Sequence, residues 1–498
     1  MRKTNKYIIR CCGLLLLSLF LTYGNNVLAQ FMGTSTNYAG SRGLAINPSL
    51  MTTSYVFADF GVNVGASVSN DFAYLYAKDY YNLFTGKELS DYYINGNRYD
   101  FGFVMNRKPK NVYEAADAAV LSAMYNPNGK IAFGVFVNNR VYTSGTQIPW
   151  EIMEAAVVGI ENGDYIGRQY KSENGKIGLM AWSEVGLSYS MTIFDRFSSK
   201  FDAGLTVKGL LGYGGVALNL NHVRKDIVDK NVSMIHSIDM DAAMALPMNY
   251  GAKFDGGQVF NMDEPVKGLG LGFDIGFTYT QKQDDKEYQK VERPCTFPKI
   301  RYIWRLGVSL LDVGAVKFDK NARVYKIYSY YDEVFDVRTL EGVESFDAMM
   351  DTLCSVFYDD VSEADAGNEF TIGLPTALSV QFDYNIWDSF YVNATLVQPF
   401  RLKEYSVKRC AQVVMEPRYE TTFFDFSVPV TFYNYERLIV GMEARLFFLT
   451  VGTQNIMNFL GVGESFGFDI YAAVKFNLYK GRCLKKELKD ACWNANFR

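Results

Sequence analysis

The sequence predicts an all-β chain, a transmembrane antiparallel β-barrel of about fourteen strands with long extracellular loops and a short N-terminal plug segment. Three observations predict it. The first thirty residues are arranged as an export signal. Segments of about ten residues alternate apolar and polar side chains from Tyr55 to Tyr479. The polar face of these segments is built from Gly, Ser, Thr and Asn with isolated charges, whereas a sheet facing water would carry many Lys and Glu.

Arg2, Lys3, Lys6 and Arg10 give a basic start, Cys11 to Tyr23 is a leucine-rich apolar run, and Val27-Leu28-Ala29 precedes a cut at Gln30. Residues 1–29 are therefore read as the signal, 30–54 as a plug or periplasmic segment, 55–480 as the barrel and 481–498 as a periplasmic tail. Cys11 and Cys12 open the apolar run instead of following it, which argues against a lipid anchor. The chain carries a net charge of −4, and removal of the four basic signal residues leaves the mature protein at −8. An acidic exported chain with no basic tract is unsuited to nucleic acid. Only 2 His stand beside 35 Tyr and 37 Phe. That scarcity removes the usual metal ligand and general base, so neither a cofactor nor an enzymatic role is expected. Five cysteines follow the signal, and of these Cys483 and Cys492 are close enough to close a small loop.

The strands follow in order. Val56, Ala58, Phe60, Val62 and Val64 alternate with Asp59, Gly61 and Asn63; Ile131, Phe133, Val135 and Val137 with Gly134, Asn138 and Arg140. Val185, Leu187, Tyr189 and Met191 oppose Glu184, Gly186 and Ser188, and after a polar break Phe201, Ala203, Leu205 and Val207 oppose Asp202, Thr206 and Lys208. Leu269 to Tyr279 sets six large apolar residues against glycines, Asp274 and threonines, and further segments run to Tyr479. A hairpin register that sums to 392 pairs Leu187 with Leu205 and Glu184 with Lys208; one that sums to 774 pairs Phe382 with Val392. Eleven or twelve strands are clear, and stretches near 98–106, 235–245 and 407–415 are candidates for the rest. A soluble sandwich would also bury apolar faces. Uncharged apolar faces, aromatics at the strand ends, and short hairpins alternating with long connections favour the barrel, with apolar side chains toward lipid.

The lumen then receives the polar face, with Asp59, Arg140, Glu184, Lys208, Asp274, Asp383, Glu443, Arg445, Asp469 and Lys475 as its charged candidates. Buried charges need partners, so Glu184 with Lys208 and Glu443 with Arg445 are expected to pair with each other or across neighbouring strands. Mixed signs argue against a strongly ion-selective pore. Connections at 71–97, 221–266, 283–299 and 318–369 are expected outside the cell, with amphipathic helices at 344–361 and 149–160. His222 and His236 fall in one such loop, with no catalytic partner visible. Glycines such as those of GLGLGF lie within strands, where they relieve crowding in a curved sheet.

The stretches TVKGLLGY (206–213), WRLGVSLLDVG (304–314), GLPTALSVQFDY (373–384), LTVGTQNI (449–456) and FDIYAAVKF (468–476), with LAINPS (44–49), resemble a family of Bacteroidota outer-membrane barrels of unknown function. That family is distantly similar to the long-chain fatty-acid transporter barrels and to the barrel subunit of the type IX secretion apparatus. The resemblance implies the barrel fold and placement in the cell outer membrane, but no activity. In the fatty-acid transporters an Asn-Pro-Ala-like stretch lies in a plug, and Asn47, Pro48 and Ser49 are similar to it. They are read as a turn that tucks the terminus into the lumen, with a hatch for an apolar solute as the other reading.

The expected role is a non-enzymatic structural or accessory subunit of an envelope complex, in contact with outer-membrane lipid and an envelope protein partner. The alternative is a passive transporter of hydrophobic or small solutes.

Overall fold

The computed structural model describes residues 34–80, 82, 90–94, 97–99, 101–104, 106–153, 166, 167, 169–229, 231–254, 264–283 and 299–479. The signal, the tail and the Cys483–Cys492 pair lie outside the described residues.

Fourteen strands, each antiparallel to the next, close on themselves. They are β1 Ala58–Asn70, β2 Lys110–Tyr125, β3 Ile131–Ile148, β4 Gln169–Asp195, β5 Ser199–Ile227, β6 Gly268–Lys282 and β7 Tyr302–Phe318. The circuit continues through β8 (Phe370–Gly373 and Ala377–Trp387), β9 Phe390–Pro399 and β10 Gln412–Glu420. Then come β11 (Phe424–Ser427 and Val430–Tyr433), β12 (Arg437–Val440 and Met442–Leu446), β13 Leu449–Thr453 and β14 Gly467–Leu478. Strand β14 pairs with β1 from Ala58 against Leu478 to Ser69 against Gly467, which closes the barrel and leaves no free edge.

The faces are those of a membrane barrel. Leu187, Leu269 and Leu271 are 64%, 63% and 61% exposed on the outer surface, while their polar neighbours Ser188 and Ser190 are buried. At the end with the short turns the outer aromatics meet strand to strand: Phe60 on Phe476, Phe133 on Tyr189, Phe201 on Phe277, Trp304 on Phe382, Trp387 on Phe390 and Tyr419 on Phe424. Such a girdle marks the membrane interface, and the short turns mark the periplasmic side.

Several expectations need correction. Both hairpins keep the expected faces but sit two residues away from the expected register. Leu187 pairs with Val207 and Glu184 with Leu210; Phe382 pairs with Ala394. In each case the ladder shifts just before the turn, skipping Ile193 or Ile386, and a bulge of this kind moves a register without moving the faces further along. The 283–299 connection joins β6 and β7 at the periplasmic end, where Lys299 reaches Tyr38 and Tyr55 donates to the Ile300 carbonyl. Its length alone had suggested the exterior.

Residues 221–266 are not one loop. Strand β5 runs for 29 residues, ~95 Å of chain against a hydrocarbon core of ~30 Å. Its outer half, Gly215 to Ile227, pairs with a returning strand, Val232–Ala245. That strand stands in line above β6 instead of adding a place in the ring, and Ala322–Ser329 stands likewise above β7. His222 and His236 are therefore strand residues. Helix α1, Phe346–Cys354, packs Met350 and Cys354 against Ile238 and Ile327 of this extension. Within 149–160, residues 150–153 are helical and 154–160 lie outside the described residues. The 98–106 stretch contributes only Asn97–Tyr99 and Gly102–Phe103, both outside the ring, and of 407–415 only the part from Gln412 is strand.

Candidate functional site

A ring of fourteen strands is too wide for its own side chains to fill, so something else must occupy the lumen. The periplasmic half is occupied by residues 34–56. They enter as two short 3₁₀ turns, Gly40–Ala45 and Pro48–Thr53. Pro48 has the fixed φ that suits a first helical position, and Asn47 caps it by accepting from the Ser49 amide at 3.0 Å. The Asn47 amide then donates to the Phe277 carbonyl at 3.2 Å and to Gln381 Oε1 at 3.0 Å, while Ser49 Oγ meets Thr278 Oγ1 at 2.6 Å. This turn sits on Gly204 and Gly276, which face each other across β5 and β6. A Cβ on Gly276 would stand 2.1 Å from Asn47 Oδ1, and one on Gly204 2.4 Å from the Ser49 nitrogen. These glycines thus make room for the plug and are not there simply to relieve curvature.

Charges on the wall hold the rest of the plug. Asp383 accepts from Arg305 at 3.0 Å and from Arg418 at 2.8 Å, and Arg305 passes on to Asn37 Oδ1 and Thr53 Oγ1, both at 3.2 Å. Lys475 donates to the Tyr38 carbonyl at 2.7 Å, and Asp59 accepts from the Ser41 amide at 2.9 Å. Glu443 faces Arg42 of the plug at 3.7 Å, and Arg445 is held by Asp425. Glu443 and Arg445 therefore do not pair with each other; each has a nearer partner off its own strand. Among the described residues no cation forms an ion pair with Asp469, which instead accepts from the Gln454 amide and Thr453.

The middle of the lumen is a charge cluster around Asp312. Arg140 reaches Asp117 at 2.7 Å, Glu184 at 3.2 Å and Asp312 at 3.1 Å, while Lys208 reaches Asp274 at 2.8 Å and Asp312 at 2.5 Å. Glu184 and Lys208 do not pair, because the two-residue register shift carries them apart. Arg409 completes the cluster on Asp312. A cavity of about 110 Å³ lies here, lined by Arg42, Asn138, Arg140, Lys208, Arg409 and Tyr471 among others.

All ten charged residues singled out from the sequence are buried on the lumen side. Asp312 and Arg409 were not among them. Strict alternation places Asp312 on the lipid face, but its φ of +52° and the ladder shift opposite, between Phe273 and Ile275, turn it inward. An aspartate on an otherwise apolar strand face was the available signal. Arg409 lies in a connection, where no period exists to read.

Above the charges the lumen becomes apolar. Tyr142, Met180, Trp182, Leu210, Val316, Phe318, Phe370, Ile372 and Leu374 form one buried cluster. A water-filled pore would present polar side chains here. Outside the membrane, His236 on the extension lies 2.7 Å from Asp332 and 3.0 Å from Asp226, and its hydrogen bond to Asp332 raises its pKa above the usual value of 6.5. Among the described residues no group of three or more His, Cys, Asp or Glu is placed to hold a metal ion.

A closed antiparallel barrel with an apolar exterior, an aromatic girdle and a lumen filled by its own chain is an outer-membrane β-barrel. Residues 17–453 match the model of the Family of unknown function (DUF5723), and the chain belongs to that family. No curated protein matches the sequence. Among solved structures, the toluene transporter TbuX of Ralstonia pickettii is similar at 11% identity and a TM-score of 0.37, over 93% of this chain and 100% of that one. The toluene transporter TodX of P. putida is similar at 9% identity and 0.37, over 92% and 99%. A Pseudomonas aeruginosa FadL homologue is similar at 8% identity and 0.21, over 91% and 96%.

Proposed function

We propose that this barrel is a passive, plugged conduit for small apolar solutes across the outer membrane. The observation that carries the reading is the apolar, aromatic lining around Trp182 and Phe318 on the inside of the wall, a chamber filled by buried side chains where a water-filled pore would carry polar ones. An apolar solute entering from outside would find there a surface that gains by losing water. The plug below it is held by side chains, so it can leave without breaking any ladder of the wall. The test is uptake of a labelled alkylbenzene by intact cells, whose outer membrane is the barrier. Expression should raise uptake, and Trp182→Ala should lower it while the barrel remains folded. Equal uptake with and without the protein contradicts the reading.

A second reading, an accessory subunit of an envelope complex, is favoured by one observation: Tyr328, Tyr330 and Tyr331 stand 59%, 61% and 79% exposed midway along the extension, where Tyr328 pairs with Asp239, as docking aromatics do. Affinity capture from envelopes in mild detergent tests it, and a chain that always runs alone ends it.

A further inference from the structure

The connection between β9 and β10 does not arch over the rim but turns into the lumen. Ser406 lies beside Gly373 of β8, with which it forms a parallel bridge, and on its other side it meets Gly178 of β4. A Cβ on Gly373 would stand 2.9 Å from Ser406 Oγ, and one on Gly178 would stand 2.9 Å from the Ser406 carbonyl oxygen. Two glycines on separate walls thus clasp the segment. Val407 is 1% exposed and belongs to the apolar chamber itself. The Lys408 amide donates to Ser144 Oγ of β3 at 2.9 Å, and Arg401 donates to Thr146 Oγ1 at 2.6 Å. Then Arg409, its side chain 6% exposed, gives Nε to the Pro375 carbonyl at 2.8 Å and Nη2 to Asp312.

We propose that residues 400–411 form a second closure, on the extracellular side and in series with the plug, which occupies the apolar chamber in place of the solute and is latched by Arg409 on Asp312. The proposal rests on the conduit reading above. Three features support it together. Val407 contributes an apolar side chain where an apolar solute would lie, so segment and solute compete for one space. Asp312 takes Arg140 and Lys208 from the wall but Arg409 from the connection, and when Arg409 leaves, Asp312 keeps both wall cations, at 3.1 Å and 2.5 Å, although four carboxylates then face two cations. Opening therefore breaks a contact of the segment while Arg140 or Lys208 stays within reach of every wall carboxylate. Finally, the cavity between the charges is bounded by Arg42 of the plug and by Arg409 of the segment, which makes it a compartment between two closures.

The first experiment reads the segment alone. Ser406→Cys is placed in a Cys410→Ser chain, and intact cells are exposed to a membrane-impermeant maleimide, with modification at position 406 scored by mass spectrometry of its peptide. Arg409→Ala should raise the labelling rate about tenfold, the size of effect expected for one lost charge-assisted contact, and Arg409→Lys should restore part of the protection. An added alkylbenzene should also raise it. Unchanged labelling in Arg409→Ala overturns the latch. The second experiment reads the series. A Gly373→Cys/Ser406→Cys disulfide is formed in a chain whose plug is loosened by Asn47→Ala and Ser49→Ala, and conductance is recorded in planar bilayers. The oxidised protein should stay silent and the reduced one should open. Equal conductance in both states overturns the second closure. Silence in every state, with labelling still dependent on Arg409, leaves the latched segment standing and removes the conduit reading instead.

Discussion

The two ends of the lumen are closed by different chemistry. The periplasmic half is held by polar contacts: Asn47 and Ser49 on the glycine seat, and Arg305, Glu420, Asp59 and Lys475 around Asn37 to Ser41. The extracellular half is held by apolar packing around Val407, by Arg409 on Asp312, and by hydrogen bonds of the segment to the wall, among them the Lys408 amide to Ser144 and the Gly373 amide to the Tyr405 carbonyl. The difference teaches where an apolar solute would act. It can take the place of the Val407 side chain, but it cannot replace the hydrogen bonds made by Asn47 or by the Lys408 amide, whose partners would be left unpaired in a dry interior. In the proposed conduit a solute therefore competes directly only for the apolar part of the upper closure, and the lower one must be moved by something that restores its hydrogen bonds, such as water entering from the periplasm.

The contrast can be broken or sharpened by substitution. The largest effect is expected at Asp383, which neutralises Arg305 and Arg418 together. Asp383→Ala leaves buried guanidinium charge uncompensated and should cost about 3–5 kcal/mol, read as a lower temperature for loss of the folded, fast-migrating band on an unboiled gel. The Ser406 labelling rate should stay as it is; a change there would mean that the two closures are mechanically coupled. Next comes Gly276→Ala, whose methyl group would crowd Asn47. It should destabilise the seated plug by about 1–3 kcal/mol, seen as faster protease cleavage within residues 34–53, while Gly209→Ala, where nothing approaches, should be silent. Smaller again is Val407→Ala, at about 1–2 kcal/mol from lost burial and the space left behind, detected as faster labelling at Ser406 with no change in plug cleavage.

The smallest effect lies outside the membrane. The hydrogen bond to Asp332 raises the pKa of His236, so its protonated form is favoured in the folded extension. The stabilisation is fully present below pH 6.5, the unfolded value, and is lost as pH rises through the higher folded value. Limited proteolysis near residues 228–231 should be slower at pH 6 than at pH 8.5, and His236→Gln should remove the difference.

How much of this could be read in advance depends on periodicity. Alternation identified the faces of β1, β3, β4 and β5, because a period of two survives a register error of two. It could not give the register, since the residues skipped at Ile193 and Ile386 leave no compositional mark. It missed Asp312 for the same reason: a bulge reverses parity, and the reversed residue reads as facing lipid. The side on which residues 283–299 emerge was misjudged because length is not a topological signal; counting strands from a closed end would have placed them. Gly204 and Gly276 were visible as glycines in strands, but only the approach of Asn47 and Ser49 explains them. Arg409 and Val407 lie in an irregular segment, where the chain carries no repeating pattern and only the packed lumen assigns them a place.

Residues 34–56 stand inside the ring, and in the proposed conduit they must move for solute to pass. Thr52 Oγ1 and Ser190 Oγ are 3.2 Å apart across that boundary, close enough for a disulfide between cysteines in their places. Alkylbenzene uptake by cells expressing Thr52→Cys/Ser190→Cys should be abolished on oxidation and should return on reduction. Uptake at the same rate with the cross-link fully formed would contradict the claim.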